Sequence, residues 1–337
     1  MTQKEALVKI LVIGGTNFFG LRMVEKLVER GDDVTVFSRG KSKPDVLKHV
    51  THIEGDRDDE FMFQRRLGSL EFDAVIDNIA YNAEHAQLAY ETFGGQAAQY
   101  IVCSSVSVYK HVPRYRVLYE DEADLGKRVG EPYGDGKRAL EQTLWQNLDD
   151  DLPITVFRPT VVEGPRDPAM HVWYYLQRFL DGGPVLLPRE IPDVLLRIVF
   201  AEDVADAFLA AIGNKAAFNH VYNLGGEEVF TLNDYADMVR SAAGSMSDVV
   251  ECPISRIRHV DGLAEYRPEY LGFDSVPDIG AARRDLGYRP APVQERIKQT
   301  VEWVMSLESR PDSRGYAARD AEVAFARGLM KARNAAV

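Results

Sequence analysis

Ser105, Tyr133 and Lys137 have the types and the order needed to move a proton at a carbon that gains or loses hydride. Tyr133 and Lys137 stand four apart in Tyr133-Gly-Asp-Gly-Lys137, and on a helix such positions share a face. An ammonium beside a phenol is expected to lower its pKa from about 10 toward neutrality. The phenol can then exchange a proton with a hydroxyl or carbonyl oxygen while hydride moves at the adjacent carbon. Ser105 follows an apolar run in Cys103-Ser104-Ser105-Val106-Ser107-Val108-Tyr109, where its hydroxyl can hold that same oxygen. Ser104 is the neighbouring candidate if the register shifts by one. Chance Tyr-x-x-x-Lys matches are common in a chain with 15 tyrosines, so the weight comes from the ordered combination with a glycine loop upstream.

That loop is Gly14-Gly15-Thr16-Asn17-Phe18-Phe19-Gly20, preceded by the apolar run Lys9-Ile-Leu-Val-Ile. Strand, glycine turn and helix N-terminus together form a cradle for a pyrophosphate. All seven residues, Gly14 to Gly20, are expected to touch a dinucleotide. Asn17 takes the middle place of the usual three-glycine pattern and tolerates a left-handed backbone. Gly20 would let the helix lie close to the first strand. The second strand ends Ser38-Arg39-Gly40-Lys41-Ser42-Lys43 and lacks the carboxylate that takes ribose hydroxyls in NAD sites. Ser38, Arg39 and Lys43 suit a 2′-phosphate, which favours NADP over NAD. Asp56, beside Arg57, could take the adenine amino group. Asn78, Ile79 and Ala80 close the fourth strand where the backbone would pass the cofactor, and Pro159 closes the sixth.

Around these residues, short apolar strands alternate with helical patterns. Strands are expected at 10–13, 34–37, 52–54, 74–77, 100–103 and 154–157. Helices are expected at 19–30, 58–68, 83–97 and 135–148. Such alternation makes βαβ units and a parallel sheet, and strands apolar throughout are covered on both faces. Prolines and glycines cluster over 159–193. Helices are then expected near 202–213, 232–243 and 293–307, as in a smaller second lobe. The expected fold is α/β: a Rossmann-type doubly wound parallel sheet with a smaller C-terminal α/β substrate lobe. Residues 1–160, with parts of 195–225, form the dinucleotide-binding domain. Residues 161–310 form the substrate lobe, and 311–337 a C-terminal helical extension.

The 337 residues carry a net charge of −12, which argues against a general nucleic-acid binder. Two distant cysteines, Cys103 and Cys252, make no disulfide framework and fit a reducing compartment. No apolar run approaches the roughly 18 residues of a membrane span, so a cytoplasmic protein is expected. His85 and His111 lack metal-ligand spacing, and no metal is expected.

The glycine loop, the Ser-Ser strand end and the Tyr-x-x-x-Lys helix together resemble the extended short-chain dehydrogenase/reductase superfamily, in its NAD-dependent epimerase/dehydratase branch. The resemblance covers roughly residues 8–307. It extends to Phe157-Arg158-Pro159, Gly164-Pro165-Arg166, Val199-Phe-Ala-Glu202-Asp203, Tyr222-Asn223-Leu-Gly225-Gly226 and Leu286-Gly287-Tyr288. It implies a bound dinucleotide, a substrate-binding C-terminal lobe and a homodimer formed through two helices per subunit. It also implies Tyr133 as acid/base, Lys137 as the residue that tunes it, and Ser105 as the group on the substrate oxygen.

Departures from the family pattern narrow the reaction. The dehydratases of this branch carry Asp-Glu just after the catalytic Thr, where this chain has Val106 and Ser107. Neither can shuttle a proton, so small uncharged residues there suit 4-epimerases or keto-reductases. The usual Asn after the strand-six Arg is Val161, and the usual lobe Arg is Leu196, with Arg197 one place later. On a strand that slip turns the side chain to the other face. Arg166, Arg178, Arg189 and Arg197 are candidates for an anionic substrate, and Tyr81, Ser105 and Ser107 for its reacting part. The leading reading is an NAD(P)-dependent sugar epimerase or oxidoreductase acting on a nucleotide sugar. Two alternatives stand beside it: an NADPH-dependent reductase of a non-sugar ketone or aldehyde, and a non-catalytic, RNA-associated relative.

Overall fold

The computed structural model describes residues 7–110, 116–148, 152–189, 193–270 and 276–335, so His111 lies outside the described residues. Two compact units result. The first comprises residues up to 162, with 199–225 and 277–290. Its centre is a parallel sheet of β1 (Lys9–Ile13), β2 (Asp33–Ser38), β3 (Thr51–Glu54), β4 (Ala74–Asp77), β5 (Tyr100–Cys103), β6 (Ile154–Pro159) and β7 (His220–Leu224), in the order β7-β6-β5-β4-β1-β2-β3. The register runs Ile10↔Val34 on one side of β1 and Ile10↔Ala74 on the other.

Strand residues alternate between two cores. Ile10, Val12 and Ile76 pack with Met23 and Leu27 of α1 (Phe18–Arg30) and with Val204 and Phe208 of the helix Ala201–Ala211. Leu11, Ile13 and Val75 pack with Phe63 of α2 (Glu60–Leu67), Phe93 of α3 (Ala83–Phe93) and Leu140 of α4 (Pro132–Gln146). Both faces of the central strands are therefore buried, which is why they read as continuous apolar runs, while edge strand β3 stays partly exposed. The third helix ends four residues before its expected limit because Gly94 and Gly95 turn the chain, and Ala97 joins Phe72 in a parallel bridge. Residues 277–290 belong to this unit and not to the lobe expected over 161–310. Ile279, Ala282 and Tyr288 enter the first core, and the Tyr288 hydroxyl donates to the Gly225 carbonyl.

The second unit comprises 163–198, 226–276 and 291–337. In it the helices His171–Leu180, Leu232–Ala242 and Val293–Ser306 pack together. The parallel strands Val185–Arg189 and Val249–Pro253 carry the helix Arg319–Asn334. The segment expected as a separate extension over 311–337 is thus part of this unit. Arg319 and Glu322 are buried, Arg319 pairs with Asp181, and Phe325 and Leu329 pack on Leu186 and Cys252.

Glu163 is a fully buried acid of this unit. The hydroxyls of Tyr235 and Tyr270 both donate to its Oε1, while Oε2 has no partner among the described residues. Burial pushes its carboxyl up to about 8, against the opposing charge of His171 and the Tyr235 bond. Asp167 and Glu269 add to the rise. The unfolded carboxyl ionises near 4.5, so between there and 8 unfolding releases a proton and stability falls as pH rises. Glu163→Gln removes this loss. Its melting temperature should match the wild type at pH 5 and exceed it by about 5 °C or more at pH 8, read by calorimetry. Parallel pH profiles would contradict this account.

Candidate functional site

The end of β5 divides the two serines. Ser104 is buried and its hydroxyl donates to the Glu141 carboxylate of α4. Ser105 starts the 3-10 turn Val106–Tyr109, and its Oγ accepts from the Ser107 N–H at 3.1 Å. Ser105 also hydrogen-bonds Tyr133. Ser105 thus faces the phenol and Ser104 the interior.

Pro132 opens α4, and the Glu131 carboxylate caps it by accepting from the Gly134 N–H at 3.2 Å. Tyr133, Lys137 and Glu141 then follow at helical spacing. Two glycines in the first two turns, normally unfavourable in a helix, are there for approach. A Cβ on Gly136 would lie 2.6 Å from the Tyr81 carbonyl oxygen, and one on Gly134 would lie 3.0 Å from that of Ser107. Lys137 is buried, and its Nζ donates to the carbonyls of Ala80 and Cys103, both at 2.6 Å. Burial pushes its pKa down. Tyr133 and Tyr81 are each nearly half exposed, with ring centroids 6.5 Å apart.

The expected lowering of the Tyr133 phenol is not what this geometry produces. The ammonium is committed to two carbonyls and lies 5.7 Å from the ring centroid. Loss of water around the hydroxyl on burial, followed by the Cys103 thiol, holds the phenol above its ordinary value, and the Ser105 bond only partly offsets this.

At the glycine loop, Gly14 has φ +83°, and a Cβ there would meet Ile79 Cγ2 at 2.7 Å. A Cβ on Gly20 would meet the Gly14 carbonyl at 2.3 Å, so helix and turn are in backbone contact. Asn17 is extended (φ −142°) and makes no side-chain cap, leaving the α1 N-terminus open. The left-handed place expected of Asn17 falls instead on Phe18 (φ +48°), a strained conformation for an aromatic residue. Asn78, buried beside Gly20, has no partner for either side-chain polar atom among the described residues. A backbone cradle, open helix N–H groups and an orphaned amide fit a dinucleotide. Gly15 packs on Val12 and Val24, Ser42 Oγ donates to the Thr16 carbonyl, and Phe19 meets Phe18 edge to face.

Residues 10–225 match the NAD dependent epimerase/dehydratase family, well over half of the chain. The chain belongs to this family. It is 29% identical over 249 residues to the chloroplast stem-loop binding protein of 41 kDa b of Arabidopsis thaliana, covering 70% of this chain and 63% of that relative's length. The Thermotoga maritima UDP-glucose 4-epimerase, solved with UDP-glucose, shares the fold with TM-score 0.71 and 23% identity, over 88% of this chain and 99% of that one. The Bacillus cereus UDP-glucuronic acid 4-epimerase, solved in complex with NAD, does so with TM-score 0.67 and 19% identity, over 90% and 100%. The extended short-chain dehydrogenase/reductase fold and enzymatic character follow from family membership. No helix among the described residues is long and apolar enough to cross a membrane.

Other expected site residues of this family member are placed as follows. Ser38 is buried against His52 (2.9 Å), Lys43 pairs with Glu54 (3.5 Å), and Arg39 is exposed at the end of β2. Asp56 is exposed after β3, and Pro159 is buried at the end of β6. Arg57 turns inward: Nη1 donates to both oxygens of buried Asp77 at 2.7 Å, which removes it from the ligand-facing set. Arg178 is likewise withdrawn, buried and bidentate to Glu322 at 3.0 and 2.9 Å. In the second unit Arg166 and Arg189 are exposed, and Arg197 Nη2 donates to the Glu227 carbonyl. Ser105, Tyr133, Lys137 and Tyr81 are brought together in the first unit. Glu141 escaped the sequence reading although its place four residues after Lys137 signals it. Nothing in the sequence marks His85 for the position described below.

The two serines are separable by experiment. Ser105→Ala should lower kcat by about 10²-fold with little change in melting temperature. Ser104→Ala leaves a buried carboxylate short of a donor and should cost about 1–3 kcal/mol of stability in denaturant titration. The reverse pattern would refute the assignment.

Proposed function

We propose that this enzyme interconverts carbinol and keto carbons of a sugar, with a nucleotide sugar as the substrate class. The observation that carries the reading is the end of β4, which joins cradle to chemistry. Asn78 and Ile79 lie against Gly20 and Gly14, while the Ala80 carbonyl receives Lys137. A nicotinamide dinucleotide held there supplies or accepts hydride. Tyr133 holds the proton that the substrate oxygen gains or gives up, and Ser105 orients that oxygen. Tyr133 carries its proton at neutral pH, and in keto-reduction that proton passes to the substrate carbonyl oxygen. Lys137 sets the charge beside it. Val106 and Ser107 offer no acid–base pair for water loss, which supports epimerisation or keto-reduction over dehydration.

Tyr81 and Ser107 complete the reacting side of the substrate site. Exposed Arg39, near Ser38 and Lys43, supports NADP over the NAD of the family's name. A homodimer in the cytoplasm completes the reading, and the two buried cysteines fit a reducing compartment. The likeness to a stem-loop binding protein favours an RNA-binding alternative, against which stands the net charge of −12.

Denaturing the purified protein and identifying what it releases by mass spectrometry tests these readings. Retained NAD with a nucleotide sugar supports an internal redox cycle, hence an epimerase. An empty protein that binds NADPH supports a consuming reductase. Stem-loop RNA binding without dinucleotide binding overturns both. Tyr133→Phe should lower kcat by about 10²–10⁴-fold. Arg39→Ala should weaken NADPH binding about tenfold and NADH binding about twofold at most, read by fluorescence titration. Equal losses for both cofactors would remove the NADP preference.

A further inference from the structure

The peptide unit joining Ala80 to Tyr81 is gripped at both ends. Its carbonyl accepts from Lys137 Nζ at 2.6 Å, and its N–H donates to His85 Nδ1 at 3.1 Å. A trans peptide points these groups in opposite directions, so the two bonds polarise one another. Nδ1 accepts only while unprotonated, which assigns the ring proton to Nε2, where Asp58 Oδ1 lies at 3.0 Å. Asp58 is largely exposed, so the weight falls on His85 itself. The imidazole is fixed by the first turn of α3, where the His85 N–H donates to Asn82 Oδ1 at 2.9 Å. Burial, followed by the charge of Arg57, pushes His85 below its ordinary value and preserves the accepting form at neutral pH. The Lys137 ammonium also lies 4.7 Å from the centroid of the Tyr81 ring, within cation–π range.

We propose that His85 and Tyr81 are positioning residues for Lys137, holding its ammonium charged and aimed beside Tyr133 through the 80–81 peptide and the Tyr81 ring face. Burial alone opposes that charge. Among the groups facing Lys137, the Cys103 thiol, Asp77 and Glu141 favour it and Arg57 opposes it. Tyr133 presents its ring at 5.7 Å. The His85 contact adds a polarised acceptor to this set and makes it switchable: protonated His85 has no lone pair for the Tyr81 N–H. The inference rests on the oxidoreductase reading only for the use made of the charge.

The test is carbon-13 NMR of lysine Cε in the ligand-free protein, with the Lys137 signal assigned through Lys137→Arg. His85→Leu and Tyr81→Leu should each lower the Lys137 midpoint by about one pH unit. His85→Asn, which keeps an acceptor near Nδ1, and Tyr81→Phe, which keeps the ring, should stay close to the wild type. In the wild type, the Lys137 signal should show a second inflection that coincides with titration of the His85 ring. A Lys137 midpoint unmoved in folded His85→Leu and Tyr81→Leu, with no such inflection, overturns the proposal. If His85→Leu does not fold, the Tyr81 pair and the wild-type inflection still decide. The readout needs no cofactor, so its failure leaves the functional reading untouched, and failure to bind a dinucleotide overturns that reading alone.

Discussion

A buried ion pair, Arg158 with Glu141, holds the candidate-site half of the first unit in one arrangement. Arg158 Nε donates to Glu141 Oε1 at 3.0 Å, and Nη2 bonds Oε2. Nη1 donates to the Tyr109 hydroxyl at 2.6 Å and to the Glu120 carbonyl at 2.7 Å. The Tyr109 hydroxyl in turn reaches Asn223 Oδ1 at 2.8 Å. Both charges are nearly inaccessible to water, so removing either partner would strand the other at a cost of about 3–5 kcal/mol. Because Glu141 also receives Ser104, this network fixes β5, α4, β6 and β7 relative to one another. Ser105 and Tyr133 inherit their positions from it.

Helix α4 works as a ruler. Tyr133, Lys137 and Glu141 occupy successive turns and so pass from a half-exposed phenol, through a buried ammonium, to a fully buried carboxylate. The gradient follows from geometry: the helix enters at the surface and its middle packs against α3, with Leu140 in the second core. Glycines at its mouth let it close on the Tyr81 and Ser107 carbonyls, the close approach that puts Lys137 within reach of two backbone oxygens. A lysine so placed is desolvated, and its charge depends on those oxygens and on the aromatic ring above it. The Lys137 ammonium and the backbone position are thereby coupled at the end of β4.

The glycine loop obeys a different constraint. Its turn must leave N–H groups free for a ligand, so it cannot satisfy itself. Asn17 declines the cap, the Asn78 amide has no partner among the described residues, and Phe18 accepts a left-handed backbone, at about 1–3 kcal/mol for such strain. These deficits are compatible with stability because the two cores on either side of the sheet are continuous.

Local pattern alone determined a good deal. It marked six of the seven strands, and the central ones read most plainly because burial on both faces makes them apolar, whereas edge strand β3 is partly exposed and carries Thr51, His52 and Glu54. The i, i+4 spacing put Tyr133 and Lys137 on one face, and the glycine loop announced a dinucleotide site. Only the tertiary structure decided the rest. It separated Ser104 from Ser105, which differ by one residue in the chain and by opposite directions in space. It withdrew Arg57 and Arg178 into ion pairs with Asp77 and Glu322, partners that lie 20 and 144 residues away in sequence. It returned 277–290 to the first unit and built the C-terminal helix into the second. The physical reason is common to all of these. Periodicity reports which face of an element is apolar, whereas the partner of a buried charge and the value of a pKa are set by atoms that only folding brings together.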